Sequence, residues 1–389
     1  MCGFSGGGSS SPETLAHTHN QALANDGGDL SETLTDMNGV PLYSLITDNS
    51  AAVAANTANI AINTAAIAAL PPAGLTAQEV NTEIYASRWV ARTAASTSAW
   101  NGMAWSPELG IFCALSSSDC MTSPDGNTWT TRTVPNHGWS SIVWSSDQSQ
   151  FVGVAENSNG VMTSPDGITW TNRTDPNTNF YMSVTYSPSL TLFCSVARTG
   201  TGDRVATTPD GITWTTRTSA EDNTWKSVTW SEDLTLFAAV SSDGTNRVMT
   251  SPDGITWTAR TAAEANSWQS VTWSEDLTLF AAVSEDGTNR VMTSPDGITW
   301  TARAAAVANS WQSVVWSPEI GIFCAVSNTG TGDRIMTSPD GITWTTQTSP
   351  ASSRWECLAW SPELYSFAAA SDTEPIGEMV MQTEAGTCC

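Results

Sequence analysis

The chain has 389 residues, 14 Lys+Arg against 38 Asp+Glu and a formal net charge of −24, and its single lysine, Lys226, rules against a phosphate-tracking nucleic-acid surface. Hydrophobic residues make up 40% of the sequence, enough for a core, which excludes disorder throughout. No apolar run approaches the length of a membrane span, and Met1–Ser10 lacks the basic start and apolar run of a secretory signal, so the expectation is a chain that folds in the cytoplasm that makes it, without membrane insertion.

In chain order, residues 1–40 read as a flexible arm. Gly3–Pro12 is rich in Gly and Ser, and turn signals follow at Asp26, Gly27, Gly28, Asn38 and Gly39. His17 and His19 would bring six imidazoles together in a trimer and form a metal cage; two exposed polar side chains is the plainer reading, because nothing nearby has ligand character.

Residues 41–72 follow a seven-residue rhythm. Ile46, Val53, Ile60 and Ile67 occupy a positions, and Asn49, Asn56, Asn63 and Leu70 occupy d positions. This predicts an α-helix of roughly 37 Å, stopped by Pro71 and Pro72. Its narrow stripe has nothing to bury against in one copy, so those eight residues are the predicted interface of a homotrimer. Successive Asn residues at d resemble the stalks of trimeric surface adhesins and of bacteriophage fibres, which implies three parallel strands. A linker spans 73–86.

From residue 87 onward the chain repeats. Ser251–Trp257 reads SPDGITW, and copies begin at Ser123, Ser164, Thr208, Ser294 and Ser338. Their tryptophans, Trp129, Trp170, Trp214, Trp257, Trp300 and Trp344, lie 41 to 44 residues apart, the length of one propeller blade. One period, Trp268–Arg303, divides into four short strands. In the S-P-D-G link Pro presets φ, Asp bonds backbone N–H groups and Gly takes positive φ. Val380–Gly386 (VMQTEAG) aligns with Val248–Gly254 but stops before its Trp, while Trp89–Thr93 (WVART) matches Trp257–Thr261. The missing fourth strand therefore comes from the other end of the domain and closes the ring. The prediction is an all-β, seven-bladed β-propeller over 87–389, preceded by the α-helical coiled coil. The turn resembles the Asp-box of sialidase-type propellers with one residue missing, which implies the fold and not the enzyme.

All 19 tryptophans fall on three repeat positions. Those that open the first strand, Trp100, Trp139, Trp225, Trp268, Trp311 and Trp355, with Tyr181 in the one remaining unit, form a ring about the axis that would stack on sugars if exposed. The burial preference of aromatics favours instead their wedging between blades. Cys113, Cys194 and Cys324 replace alanines of other copies and are expected to be small core residues rather than disulfide or metal partners. A sialidase-like site needs free arginines, but ten of thirteen sit at repeat positions, leaving Arg88, Arg198 and Arg354 outside them. His137 is the one histidine beyond the arm, and the loops at Thr199 and Thr329 offer calcium too few oxygens, so no catalytic residues and no cofactor are predicted.

A short arm, an Asn-layered stalk and a C-terminal propeller together resemble a tailed-bacteriophage fibre or spike protein. That resemblance implies a virion appendage, anchored to other virion proteins by its arm, with three heads presented to a host-surface glycan. A capsid-mounted fibre with no fixed receptor, a sialidase-like glycosidase and a monomeric lectin are the alternatives.

Overall fold

The computed structural model describes residues 88–157, 160–372 and 379–383. The predicted stalk interface from Ile46 to Leu70, the arm with His17 and His19, and the linker lie outside the described residues.

The strands run from β1 (Trp89–Arg92) to β28 (Val380–Thr383) and form seven sheets of four. Six sheets take consecutive strands, such as β14 (Trp225–Ser231), β15 (Leu236–Ser241), β16 (Val248–Ser251) and β17 (Thr258–Arg260). The seventh has the order β1-β28-β27-β26, built from β26 (Trp355–Ser361), β27 (Ser366–Ser371) and the two termini of the domain. Trp89 pairs with Thr383 and Arg92 with Val380. The ring is thus the seven-bladed propeller expected from the repeat, closed by the strand borrowed from the N-terminal side. Closure joins the two ends of the array and leaves as edges only the short outer strands of the blades.

First strands of neighbouring blades contact one another and so line the axis, while fourth strands such as β17 are exposed at the rim. Ser hydroxyls tie adjacent first strands together: Val184, Val228 and Val271 each donate a backbone N–H, at 3.2 Å, to Ser141, Ser183 and Ser227 of the preceding blade. The core is not one mass but a wedge between each pair of blades. Cys194, Val196 and Val205 of one blade, for example, meet Trp225, Trp230, Phe237, Met249 and Trp257 of the next. Cys113, Cys194 and Cys324 are fully buried in such wedges, as their alternation with alanine implied.

Each SPDG turn is locked by its own side chains. Asp253 Oδ1 accepts from the backbone N–H of Ile255 at 2.8 Å and Thr256 at 2.7 Å and from the Ser251 hydroxyl at 3.0 Å. Gly254 adopts φ of +69°, the left-handed region open to glycine, and its carbonyl accepts the Trp257 indole N–H at 3.1 Å. The repeated arginines are structural as well. Arg260 Nε donates to Thr250 Oγ1 of the neighbouring strand, and Arg204, Arg247 and Arg334 each donate to a carbonyl of the next blade, at Asn223, Asn266 and Ser353.

Candidate functional site

Antiparallel strands alternate in direction, so the loops of each blade divide between two ends of the ring. First-to-second-strand turns and SPDG turns share one end; second-to-third-strand hairpins and blade-to-blade connectors share the other.

At the first end the carboxylates are bound up in the ring. Trp144 donates its indole N–H to Glu108 of the preceding blade at 2.6 Å, Trp273 to Asp233 at 3.1 Å, Trp360 to Glu319 at 2.6 Å and Trp105 to Glu363 at 2.6 Å, while the Tyr186 hydroxyl reaches Asp147 at 3.2 Å. Five carboxylates thereby join neighbouring blades.

The second end differs. In every blade the pairing of first and second strands slips by one residue just after the opening aromatic, as between Trp225 and Ser227. The extra residue is a β-bulge, which re-aims a side chain out of the alternation. The seven bulged residues, Asn101, Ser140, Met182, Lys226, Gln269, Gln312 and Glu356, are all half-buried and converge with Glu156 on one cavity of about 190 Å³ at the axis. Flanking positions of the first strand repeat almost unchanged, while these seven comprise six residue types. The blades therefore differ at the axial mouth, as they also do in the second-to-third-strand hairpins and the connectors at the same end.

The predicted aromatic ring is corrected by this geometry. Trp100, Trp139, Trp225, Trp268, Trp311 and Trp355 are 0% exposed and Tyr181 is 1% exposed, so none presents a face to solvent. Their polar edges turn to the connectors: Trp139 donates to the Pro135 carbonyl, Trp225 to that of Glu221, and the Tyr181 hydroxyl to Asn177 Oδ1. They are wedges beneath the mouth, and the residue next to each is the one that lines the cavity. Sequence reasoning missed that residue. Its signal was the unmatched second letter in otherwise matched strands, WKSVTW, WQSVTW and WECLAW.

Two of the nonrepeat arginines reach this end. Arg198 pairs with Glu156 at 3.6 Å and lies 5.2 Å from the Phe180 ring, while Arg354 reaches Asp372 at 3.4 Å and Glu356 at 3.7 Å. Asn328 donates to Glu356 Oε1 at 3.0 Å. Burial raises the Glu356 carboxyl from its usual 4.5 to about 7, with Asp372 adding to the rise and Asn328, Arg354 and Lys226 opposing it. His137 sits in a connector against Asn172 at 3.3 Å. The TGTGDR loops are hairpins whose Asp203 accepts from Asn179 and Thr201 within the same region. No group of three His, Cys, Asp or Glu is placed to hold a metal among the described residues.

These carboxyls give stability a two-sided pH dependence. Glu356 has a raised folded pKa, so its contribution is fully present below its usual 4.5 and is lost as pH climbs through about 7. The turn aspartates, such as Asp253, behave oppositely. Burial raises their pKa, but bonds from Thr256, Ile255 and Ser251 outweigh it and hold them below the ordinary carboxylate range, so their contribution is present above that range and lost as acid protonates them. Thermal melts across pH are expected to show a maximum at about pH 4–5. Glu356→Gln should flatten the decline between pH 5 and 8; a decline unchanged in that variant would place its source elsewhere.

No protein-family model matches the chain, and no curated protein matches it. Solved structures of similar shape include a streptogramin B lyase, with a TM-score of 0.65 and 9% identity over 77% of this chain and 98% of that one. Virginiamycin B lyase from Staphylococcus aureus gives a TM-score of 0.64 and 11% identity over 76% and 97% of the two chains. A chain of the mitotic checkpoint complex gives 0.57 and 15% over 76% and 90%. At such identities the likeness is one of fold. It establishes a propeller architecture shared by enzymes and by members of assemblies.

Proposed function

We propose that this chain is a non-catalytic attachment protein, a structural component of a virion appendage whose propeller heads meet a host-surface glycan through the axial mouth. The observation that carries the binding reading is the convergence of seven bulged side chains, of six residue types, on one axial cavity. Against catalysis stands the chemistry of that set. It offers amides, a hydroxyl, a thioether, one ammonium and two carboxylates, with arginines already engaged by neighbouring carboxylates and carbonyls. The two lyases share the fold at 9% and 11% identity, too little to carry an activity across.

The virion reading rests on the sequence of the arm and stalk. Ile and Val at a with Asn at d, from Ile46 to Leu70, favour three parallel copies, and three heads on one stalk convert weak single-site binding into avidity. Its other half is the absence of turnover. The full chain, held over immobilised bacterial-surface polysaccharide, should be retained saturably and release no sugar over about a day. Steady release of sugar fragments would contradict the non-catalytic reading and favour a glycosidase or lyase.

A further inference from the structure

Lys226 is the one lysine of the chain, and the bulge of β14 sets it on the wall of the axial mouth. Among the described residues it has neither an ion pair nor a hydrogen bond, whereas Arg198 and Arg354 at the same end are both paired. A half-buried ammonium that makes no direct ion pair can take a carboxylate, with Glu356 as the carboxyl that competes for it. Beside it, Gln269 and Gln312 donate their amide nitrogens back to Ser267 and Ser310, which leaves their carbonyl oxygens open to hydroxyl donors. The cavity of about 190 Å³ is of the order of one sugar ring.

We propose that the axial mouth takes a single sugar ring bearing one carboxylate, the terminal uronate of a surface polysaccharide. The carboxylate pairs with Lys226, and the ring hydroxyls donate to the carbonyl oxygens of Gln269 and Gln312. This assignment rests on the reading of the head as an attachment module and names its ligand class.

The charges at the mouth fit a monoanion under a stated condition. Arg198 offsets Glu156, and Arg354 offsets Asp372, which leaves Lys226 against Glu356. Glu285 stands at the rim and accepts the Ser267 hydroxyl at 2.8 Å, and His137 shares this end but is held by Asn172. With Glu356 protonated, Lys226, Arg198 and Arg354 exceed Glu156 and Asp372 by one charge, and with Glu356 ionised the six balance; of these, Glu156, Lys226 and Glu356 line the cavity itself. Affinity for a carboxylate should therefore fall as pH rises through the neutral range, and the carboxyl of Glu356 should be the group responsible. A ligand ammonium would show the opposite slope.

The single lysine makes the test direct. The full chain grown with lysine labelled with carbon-13 at Cε gives one side-chain signal, at the mouth. It is titrated with D-glucuronate, D-glucose and D-glucosamine at pH 6 and pH 8. The expected result is a saturable millimolar shift with glucuronate, as befits a ligand of about a dozen heavy atoms, tighter at pH 6 by roughly five- to tenfold. By calorimetry, Lys226→Met should weaken glucuronate binding by at least about tenfold while Lys226→Arg retains it, as expected for removal of a charge-assisted bond. Glu356→Gln should bind equally at both pH values. Glucose or glucosamine binding as tightly as glucuronate, or binding indifferent to Lys226→Met in a variant that melts as the parent does, would overturn the uronate assignment and leave the binding head standing. A signal unmoved by all three sugars would overturn both the assignment and the reading of this mouth as the attachment site.

Discussion

Trp268→Ala is expected to destabilise the propeller by about 3–5 kcal/mol, the range for emptying a buried aromatic site, and to lower its melting temperature by roughly 10 °C. Trp268 is 0% exposed and lies in the wedge between two blades, against Ala238, Val240 and Val248 on one side and Phe280, Met292 and Trp300 on the other. Its indole N–H also satisfies the Glu264 carbonyl at 3.1 Å, so truncation costs a hydrogen bond as well as a cavity. The third blade supplies a natural control. There Tyr181 fills the same place and anchors its hydroxyl on Asn177, so Trp268→Tyr should cost distinctly less than the alanine variant. Calorimetry decides between a wedge and a ligand platform: a wedge loses stability, whereas a platform would keep its melting temperature and lose only binding.

Ending the chain after Met379 is expected to abolish cooperative folding. That truncation removes β28, which lies between β1 and β27, so β1 loses its one partner among the described strands at the same stroke. Val380 and Met381 vanish from the two wedges they bridge, and the bond from Gln382 Nε2 to the Asp125 carbonyl of the next blade is lost. The opened ring would expose an unpaired strand edge and apolar wedge surface, a combination that leads to association. Ending the chain after Thr383 keeps every described strand and is expected to melt as the full head does. A monomeric, cooperatively melting product of the shorter truncation would contradict closure as the source of the head's stability.

The closing strand illustrates how far the sequence could be read. WVART at Trp89–Thr93 and VMQTEAG at Val380–Gly386 were halves of one repeat, and the register of Trp89 opposite Thr383 is what that alignment requires. The turn was legible for the same reason, since Ser, Asp and Gly at fixed offsets have local tasks that need no distant partner. The bulge was not. A one-residue slip is defined by two strands together, and within WKSVTW alone the aromatic and the small residues fit an unbroken alternation. The aromatic ring and the mouth were consequently exchanged by one residue: Trp225 was a candidate ligand platform, and Lys226 beside it was noted only for its charge. Interblade clamps such as Arg204 to the Asn223 carbonyl were equally hidden, because both partners lie in loops and the acceptor is backbone.

Weak contact at a mouth of this size makes presentation decisive. On the proposed reading one small sugar ring per head would bind at about millimolar affinity, and attachment to a surface would require several heads acting together. The most direct test is sedimentation equilibrium of the full chain beside a chain starting at Ser87. The account predicts a trimer for the first and a monomer for the second, with the heptad from Ile46 to Leu70 as the source of the difference. A monomer in both cases would contradict trimeric presentation and leave a single propeller whose mouth must act alone.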